Sequence, residues 1–173
     1  MQEERSLEIL ILLRHGRAER FAASGRDFDR SLEPRGEREV AAVAGRLAEA
    51  GFSPDLVLLS PSIRTRETWA AAKALFPNAL IDLCDELYSA DAAGVLRLAE
   101  EAGETAKTVL VVGHNPGLQD LAAQLLRDGS APPSLIAKAE SQFPPSAAAV
   151  FLIDAHGRPA YDGFFLPQTQ DAD

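Results

Sequence analysis

A chain of 173 residues, 46% of them hydrophobic, is long enough to bury a sizeable core and is expected to form one domain spanning residues 1–173. Seventeen Lys and Arg against 26 Asp and Glu leave a net charge of -9, which excludes the broad basic face that nucleic acid or an anionic membrane requires; an anion site must then be a local gathering of arginines. The one cysteine, Cys84, excludes an intrachain disulfide and fits a reducing compartment, so a cytoplasmic location is expected.

Near the N-terminus Glu3, Glu4, Arg5 and Glu8 precede an apolar run of only five residues, Ile9 to Leu13, too short for a signal-peptide core or a membrane span. LEILILL (7–13) is rich in β-formers and does not alternate, the pattern of a strand covered on both faces. GEREVAAVAGRLAEAG predicts a helix with Val40, Val43 or Ala44, and Leu47 on one face and Gly51 as its stop. DLVLLS (55–60) reads as a second strand, followed by a helical pattern over 61–76 in which Trp69 and Phe76 pack rather than hold a cofactor. ALIDL (79–83) is a third strand of the same buried kind, and SADAAGVLRLAEEAG (89–103) a third helix with Asp91 as N-cap. TVLVVG (108–113) is a fourth strand, and the helix after it takes Asn115 as N-cap and Pro116 as its first residue. Residues 129–145, with Pro132, Pro133, Pro144 and Pro145, read as an ordered connection. AAAVFLID, the turn-like AHGRP and AYDGFFLP close the chain as a hairpin. The fold class is therefore α/β: a three-layer α/β/α sandwich whose mostly parallel central sheet gains an antiparallel edge strand from the C-terminal hairpin.

Ligands of open α/β sheets bind beyond the carboxyl ends of the strands, so the residues just after each apolar run carry the functional information. Strand one ends in Arg14-His15-Gly16. Strand two ends in Ser60-Pro61, with Arg64-Thr65 one helical turn on; strand three is followed by Asp85 and Glu86; strand four ends in Gly113-His114-Asn115. Arg14 and Arg64 offer planar, permanently charged forks for phosphate oxygens. A neutral imidazole can attack phosphorus and carry the group, while a second histidine donates to the equatorial oxygens. A carboxylic acid such as Glu86 could protonate the leaving group. Backbone N–H groups at the start of the fourth helix would face the same anion. Hydroxyls at strand ends and helix starts usually cap, and that role is expected of Ser60 and Thr65; Arg17, Arg26, Arg30 and Arg35 receive no role. HExxH and GxxxxGK[ST] are absent, and Ala90 stands where a cysteine-phosphatase loop starting at Cys84 would need an arginine, so neither cofactor nor metal is expected.

LILLRHGRA, SPSIRTRET and VGHNPGL together resemble the three signatures of the histidine phosphatase superfamily, the phosphoglycerate-mutase-like group, and most closely its short SixA-type phosphohistidine phosphatases. The likeness runs from about Leu7 to the end, taking in DFDRSLEPRGERE and FPPSAAAVFLID. The string RHG alone would mean little: His156-Gly157 repeats part of it in an expected turn. The resemblance implies a phosphoglycerate-mutase-like fold, His15 as the phosphorylated nucleophile, and Arg14, Arg64 and His114 as the rest of the phosphate pocket. It departs at Arg17, where many members of that family carry an acid, and the family places its proton donor variably, Glu86 being the candidate here. The expected function is a metal-independent phosphatase acting on a phosphohistidine-bearing protein; the alternatives are a phosphomonoesterase acting on a small phosphorylated substrate and a phosphate- or phosphoprotein-binding module without turnover.

Overall fold

The computed structural model describes residues 7–168; Glu3, Glu4 and Arg5, read above as a charged lead-in, lie outside them. Six strands form one sheet in the order β3-β2-β4-β1-β5-β6. β1 (Ile9–Arg14), β2 (Leu56–Leu59), β3 (Leu80–Leu83) and β4 (Thr108–Gly113) are mutually parallel, while β5 (Ala148–Ile153) and β6 (Pro159–Phe165) add antiparallel beyond β1. The helices are α1 (Pro34–Glu49), α2 (Ile63–Ala72), α3 (Ala92–Ala102), α4 (Gly117–Asp128) and α5 (Pro133–Ser141).

The non-alternating strands are explained by two cores, one on each face of the sheet. Ile11 and Leu13 of β1 pack with Leu110, Val112, Val57 and Leu59 beneath Val40, Val43, Ala44 and Leu47 of α1 and Trp69 of α2. Leu10 and Leu12, with Val109 and Val111, turn to the opposite layer built by α3, α4 and α5. Burying one such Leu or Val stabilises by roughly 1.5–3 kcal/mol. Trp69 and Phe76 stack with ring centroids 6.4 Å apart, as packing residues. Gly51 terminates α1 at φ +90°, its N–H on the Ala48 carbonyl and that of Phe52 on the Leu47 carbonyl. Asp91 caps α3 through the Gly94 N–H. The repeated His156-Gly157 lies in the β5-β6 turn, where Asp154 Oδ1 accepts from the His156 N–H.

Four expectations change. ALIDL is not covered on both faces: β3 is the sheet edge, paired on one side only, and Leu80, Ile81 and Leu83 are 71%, 50% and 51% exposed. The second helix is shorter than its pattern, ending at Ala72 in a 3₁₀ turn over Lys73–Leu75. The proline-marked connection contains α5, whose Pro133 stands in the first turn, where a missing N–H costs nothing. Finally, Asn115 does not cap α4. Its Nδ2 donates to the Phe143 carbonyl at 2.9 Å and to Gln119, and the helix starts at Gly117.

Candidate active site

Register brings the two histidines together. Arg14 pairs with Gly113 across β1 and β4, so His15 and His114 are the first residues past the last paired position on adjacent strands. Their ring centroids lie 5.4 Å apart. Leu59 of β2 pairs with Val112 on the other side of β4, which places Ser60 beside His114. Arg64 arrives on the first turn of α2, whose N-cap is Ser62. The chain leaves His15 through a tight passage against α1 at Gly16. A Cβ on Gly16 would meet Val40 Cγ2 at 2.8 Å and the Gly36 carbonyl oxygen at 3.0 Å. Glycine is therefore required there by space.

His15 is 8% exposed, and its Nδ1 is 2.8 Å from the Gly16 carbonyl oxygen, which can only accept. Nδ1 thus carries the hydrogen, and Nε2 is left with a lone pair. Burial pushes its pKa down to about 3, with His114 and the two arginines adding to the shift, so the ring is neutral at pH 7. His114 is held between Ser60 Oγ, 2.7 Å from Nε2, and Arg64, whose terminal nitrogen is 3.4 Å from Nδ1. A guanidinium only donates, so Nδ1 accepts and Nε2–H donates to Ser60. Burial first, then Arg64, lowers the His114 pKa to about 4.

Arg14 donates to the Phe143 carbonyl at 2.9 Å, and burial followed by Arg64 lowers its pKa. Arg64 donates from one terminal nitrogen to the Asp27 carbonyl at 2.9 Å and from the other to Asp27 Oδ2 at 3.0 Å. The Nε atoms of both arginines are buried and have no hydrogen-bond partner among the described residues. Asp27 Oδ2 also accepts from the Tyr88 hydroxyl at 2.6 Å and Oδ1 from Arg30 at 2.8 Å. Those donors hold the Asp27 carboxyl far below the usual range, the Tyr88 hydrogen bond first.

The structure thus brings together Arg14, His15, Arg64 and His114, the four residues singled out in the sequence. It does not bring Glu86 to them: this residue sits in a 3₁₀ turn (Asp85–Ser89), 64% exposed, its carboxylate 2.6 Å from Arg97. Ser60 does not cap; its hydroxyl is spent on His114. Thr65 does not cap either: Ser62 caps α2 by accepting from the Thr65 N–H, and the Thr65 hydroxyl donates to the carbonyls of Ser60 and Ser62. The Leu118 N–H at the start of α4 is occupied by the His114 carbonyl, so that helix presents fewer open amides than expected. Asp27, Tyr88 and the Phe143 carbonyl were not foreseen. Of the neighbouring arginines, Arg30 joins the cluster through Asp27, Arg35 pairs with Glu39, Arg26 lies over Phe28, and Arg17 is exposed. Among the described residues no three His, Cys, Asp or Glu side chains are grouped as a metal site requires.

This sheet, with two guanidinium groups and two neutral imidazoles meeting where adjacent parallel strands end, defines an α/β protein with its chemistry on the carboxyl rim. Residues 10–91 match the profile of the histidine phosphatase superfamily, branch 1. An uncharacterized protein of Mycobacterium tuberculosis is 31% identical over 148 residues, 82% of this chain and 92% of its own. A candidate phosphohistidine phosphatase SixA from Agrobacterium tumefaciens superposes with a TM-score of 0.81 at 31% identity, covering 93% of this chain and 99% of that one. The protein histidine phosphatase SixA complexed with tungstate gives 0.75 at 26% identity, over 92% and 97% of the two chains. The chain belongs to the histidine phosphatase superfamily.

Proposed function

We propose that the protein is a phosphohistidine phosphatase that acts on phosphohistidine-bearing proteins through a covalent intermediate on His15. The observation that carries this reading is the His15 tautomer: with Nδ1–H fixed on the Gly16 carbonyl, the nucleophilic lone pair is on Nε2 of a neutral ring. Nε2 attacks phosphorus, the bond from phosphorus to the leaving nitrogen breaks, and the phosphoryl group passes to His15. Arg14 and Arg64 face the three phosphoryl oxygens as fixed cations. The arriving dianion favours the protonated, positively charged form of His114 beside it. Water attacks the phosphorylated His15 in the second step and releases inorganic phosphate.

The leaving group follows from the acids at hand. Asp27 is held ionised, and Glu86 is spent on Arg97 in solvent. An alkoxide leaving group needs a proton donor, whereas the nitrogen of a phosphoramidate is basic enough to be protonated with less help. That favours phosphohistidine over a phosphate monoester. The bound tungstate of the SixA relative, an oxyanion, is in keeping with an anion pocket here. The reading includes a metal-independent reaction, with arginines supplying the charge a cation would otherwise bring, one catalytic domain over residues 1–173, and a cytoplasmic location suited to the half-buried thiol of Cys84.

The test supplies wild type and His15→Ala with a phosphohistidine protein and with simple phosphomonoesters, without added metal. Hydrolysis of the phosphohistidine protein by wild type, and loss of at least about a thousandfold in His15→Ala, is expected. Equal hydrolysis by both proteins would remove the nucleophile. Faster turnover of a small monoester would make the protein a phosphomonoesterase, and binding without turnover would make it a binding module.

A further inference from the structure

Three connections that are distant in sequence meet over one half of the pocket. Asp27 lies in a 3₁₀ turn (Asp27–Asp29) after β1, Arg64 follows β2, and Tyr88 follows β3. Both terminal nitrogens of Arg64 are gripped by one residue, through the Asp27 carbonyl at 2.9 Å and Oδ2 at 3.0 Å. Two contacts on one planar fork fix its rotation, which a single contact would not. Tyr88 donates to the same Oδ2 at 2.6 Å, and its ring stands edge-on to His114, centroids 5.5 Å apart and planes at 88°, with Arg64 Cζ 5.9 Å from its centre. One hydroxyl thus ties a ring that touches both the cation and the imidazole.

Building on the function proposed above, we infer that Asp27 and Tyr88 are positioning residues: Asp27 orients the Arg64 guanidinium, and Tyr88, anchored on Asp27, walls His114, so that both meet the phosphoryl oxygens in a fixed arrangement. The opposite role, an internal anion occupying Arg64 until phosphate displaces it, fits the surroundings poorly. Asp27 Oδ1 is held by Arg30 at 2.8 Å, and Arg30 is itself anchored to the Glu19 carbonyl at 2.7 Å. Leaving Arg64 would cost the carboxylate its contacts with Arg30 and Tyr88 as well. A carboxylate embraced by three donors is built as a fixture. Its negative charge also keeps Arg64 from repelling His114 as strongly as a bare cation would, and Asp27 accordingly raises the His114 pKa against the larger lowering effects of burial and Arg64.

The experiment compares wild type, Asp27→Asn, Tyr88→Phe and the double variant by kcat and KM on a phosphohistidine peptide, by affinity for orthovanadate and for inorganic phosphate, and by melting temperature. Orthovanadate adopts the trigonal-bipyramidal arrangement of the transferring group, whereas phosphate does not. Asp27→Asn is expected to lose about ten- to a hundredfold in kcat, the scale on which small misplacements act, with KM changed less than about threefold. It is also expected to lose more affinity for orthovanadate than for phosphate. Tyr88→Phe should fall in the same direction by less, and the double variant should be little worse than Asp27→Asn, because the hydroxyl acts through the carboxylate. Tighter binding of either oxyanion by Asp27→Asn would make Asp27 a competitor. A parallel loss of both affinities together with a drop in melting temperature would make it merely structural. Absence of any turnover by wild type would overturn the phosphatase reading, while the ratio of the two affinities would still decide the positioning role.

Discussion

The pocket has two halves that are held in different ways. Arg14 and His15, at the end of β1, are tied to main-chain carbonyls, those of Phe143 and Gly16. His114, at the end of β4, and Arg64 are tied largely by side chains: Ser60, the Asp27 carboxylate and the Tyr88 ring. A carbonyl cannot be removed by substitution, so the half that holds the proposed nucleophile is proof against most single changes around it. The other half can be tuned one group at a time.

Substitutions test that contrast directly. Arg14→Ala removes a cation proposed to face the phosphoryl group and is expected to lower kcat/KM by about a hundred- to a thousandfold; a loss under tenfold in steady-state kinetics would leave that half of the pocket with no electrostatic role. Ser60→Ala leaves the His114 N–H without its acceptor and is expected to cost about tenfold in kcat/KM, the worth of one hydrogen bond. Asn115→Ala, which removes a donor to Gln119 and to the Phe143 carbonyl that Arg14 also uses, should change kcat/KM less than about threefold; a larger loss than for Ser60→Ala would erase the difference between the halves.

Both histidines also predict a pH dependence of stability. Their folded pKa values are about 3 and about 4, below the ordinary 6.5. Between 6.5 and those values the unfolded chain binds protons that the folded chain refuses, so their contribution is complete above 6.5 and is lost as the pH falls. The melting temperature is expected to drop between about pH 7 and pH 5, and less steeply in a His15→Asn, His114→Asn double variant. Equal slopes would place the acid sensitivity elsewhere. The smallest effect belongs to Glu86→Gln, which breaks a solvent-exposed pair with Arg97 and should leave turnover within about twofold.

The sequence showed the sheet where burial imposes a pattern. β1 and β4 read as strands covered on both faces because they are, and the end of each run marks the rim. Arg14, His15, Arg64 and His114 were legible because each follows such a run. β3 misled because an apolar edge strand and an apolar central strand share the same letters; only the pairing order separates them. Asp27 and Tyr88 left no local signal, since Arg64 lies 37 and Tyr88 61 residues along the chain from Asp27. Glu86 had the position of an acid but is drawn away by Arg97, one helical element further on. Ser60 was assigned a common local duty, capping, and its partner on the neighbouring strand could not be read from its own surroundings.

β3 also bears on how the protein behaves in a crowded solution. Among the described residues its outer edge has no partner strand, its Leu80, Ile81 and Leu83 are all exposed, and the one charge within the strand is Asp82. Edge strands of this kind recruit other chains unless a charge interrupts them, which makes Asp82 a gatekeeper against strand-to-strand aggregation. Asp82→Val would leave the rim that carries His15 and His114 untouched and is expected to make the protein associate as its concentration rises, a change that light scattering would record.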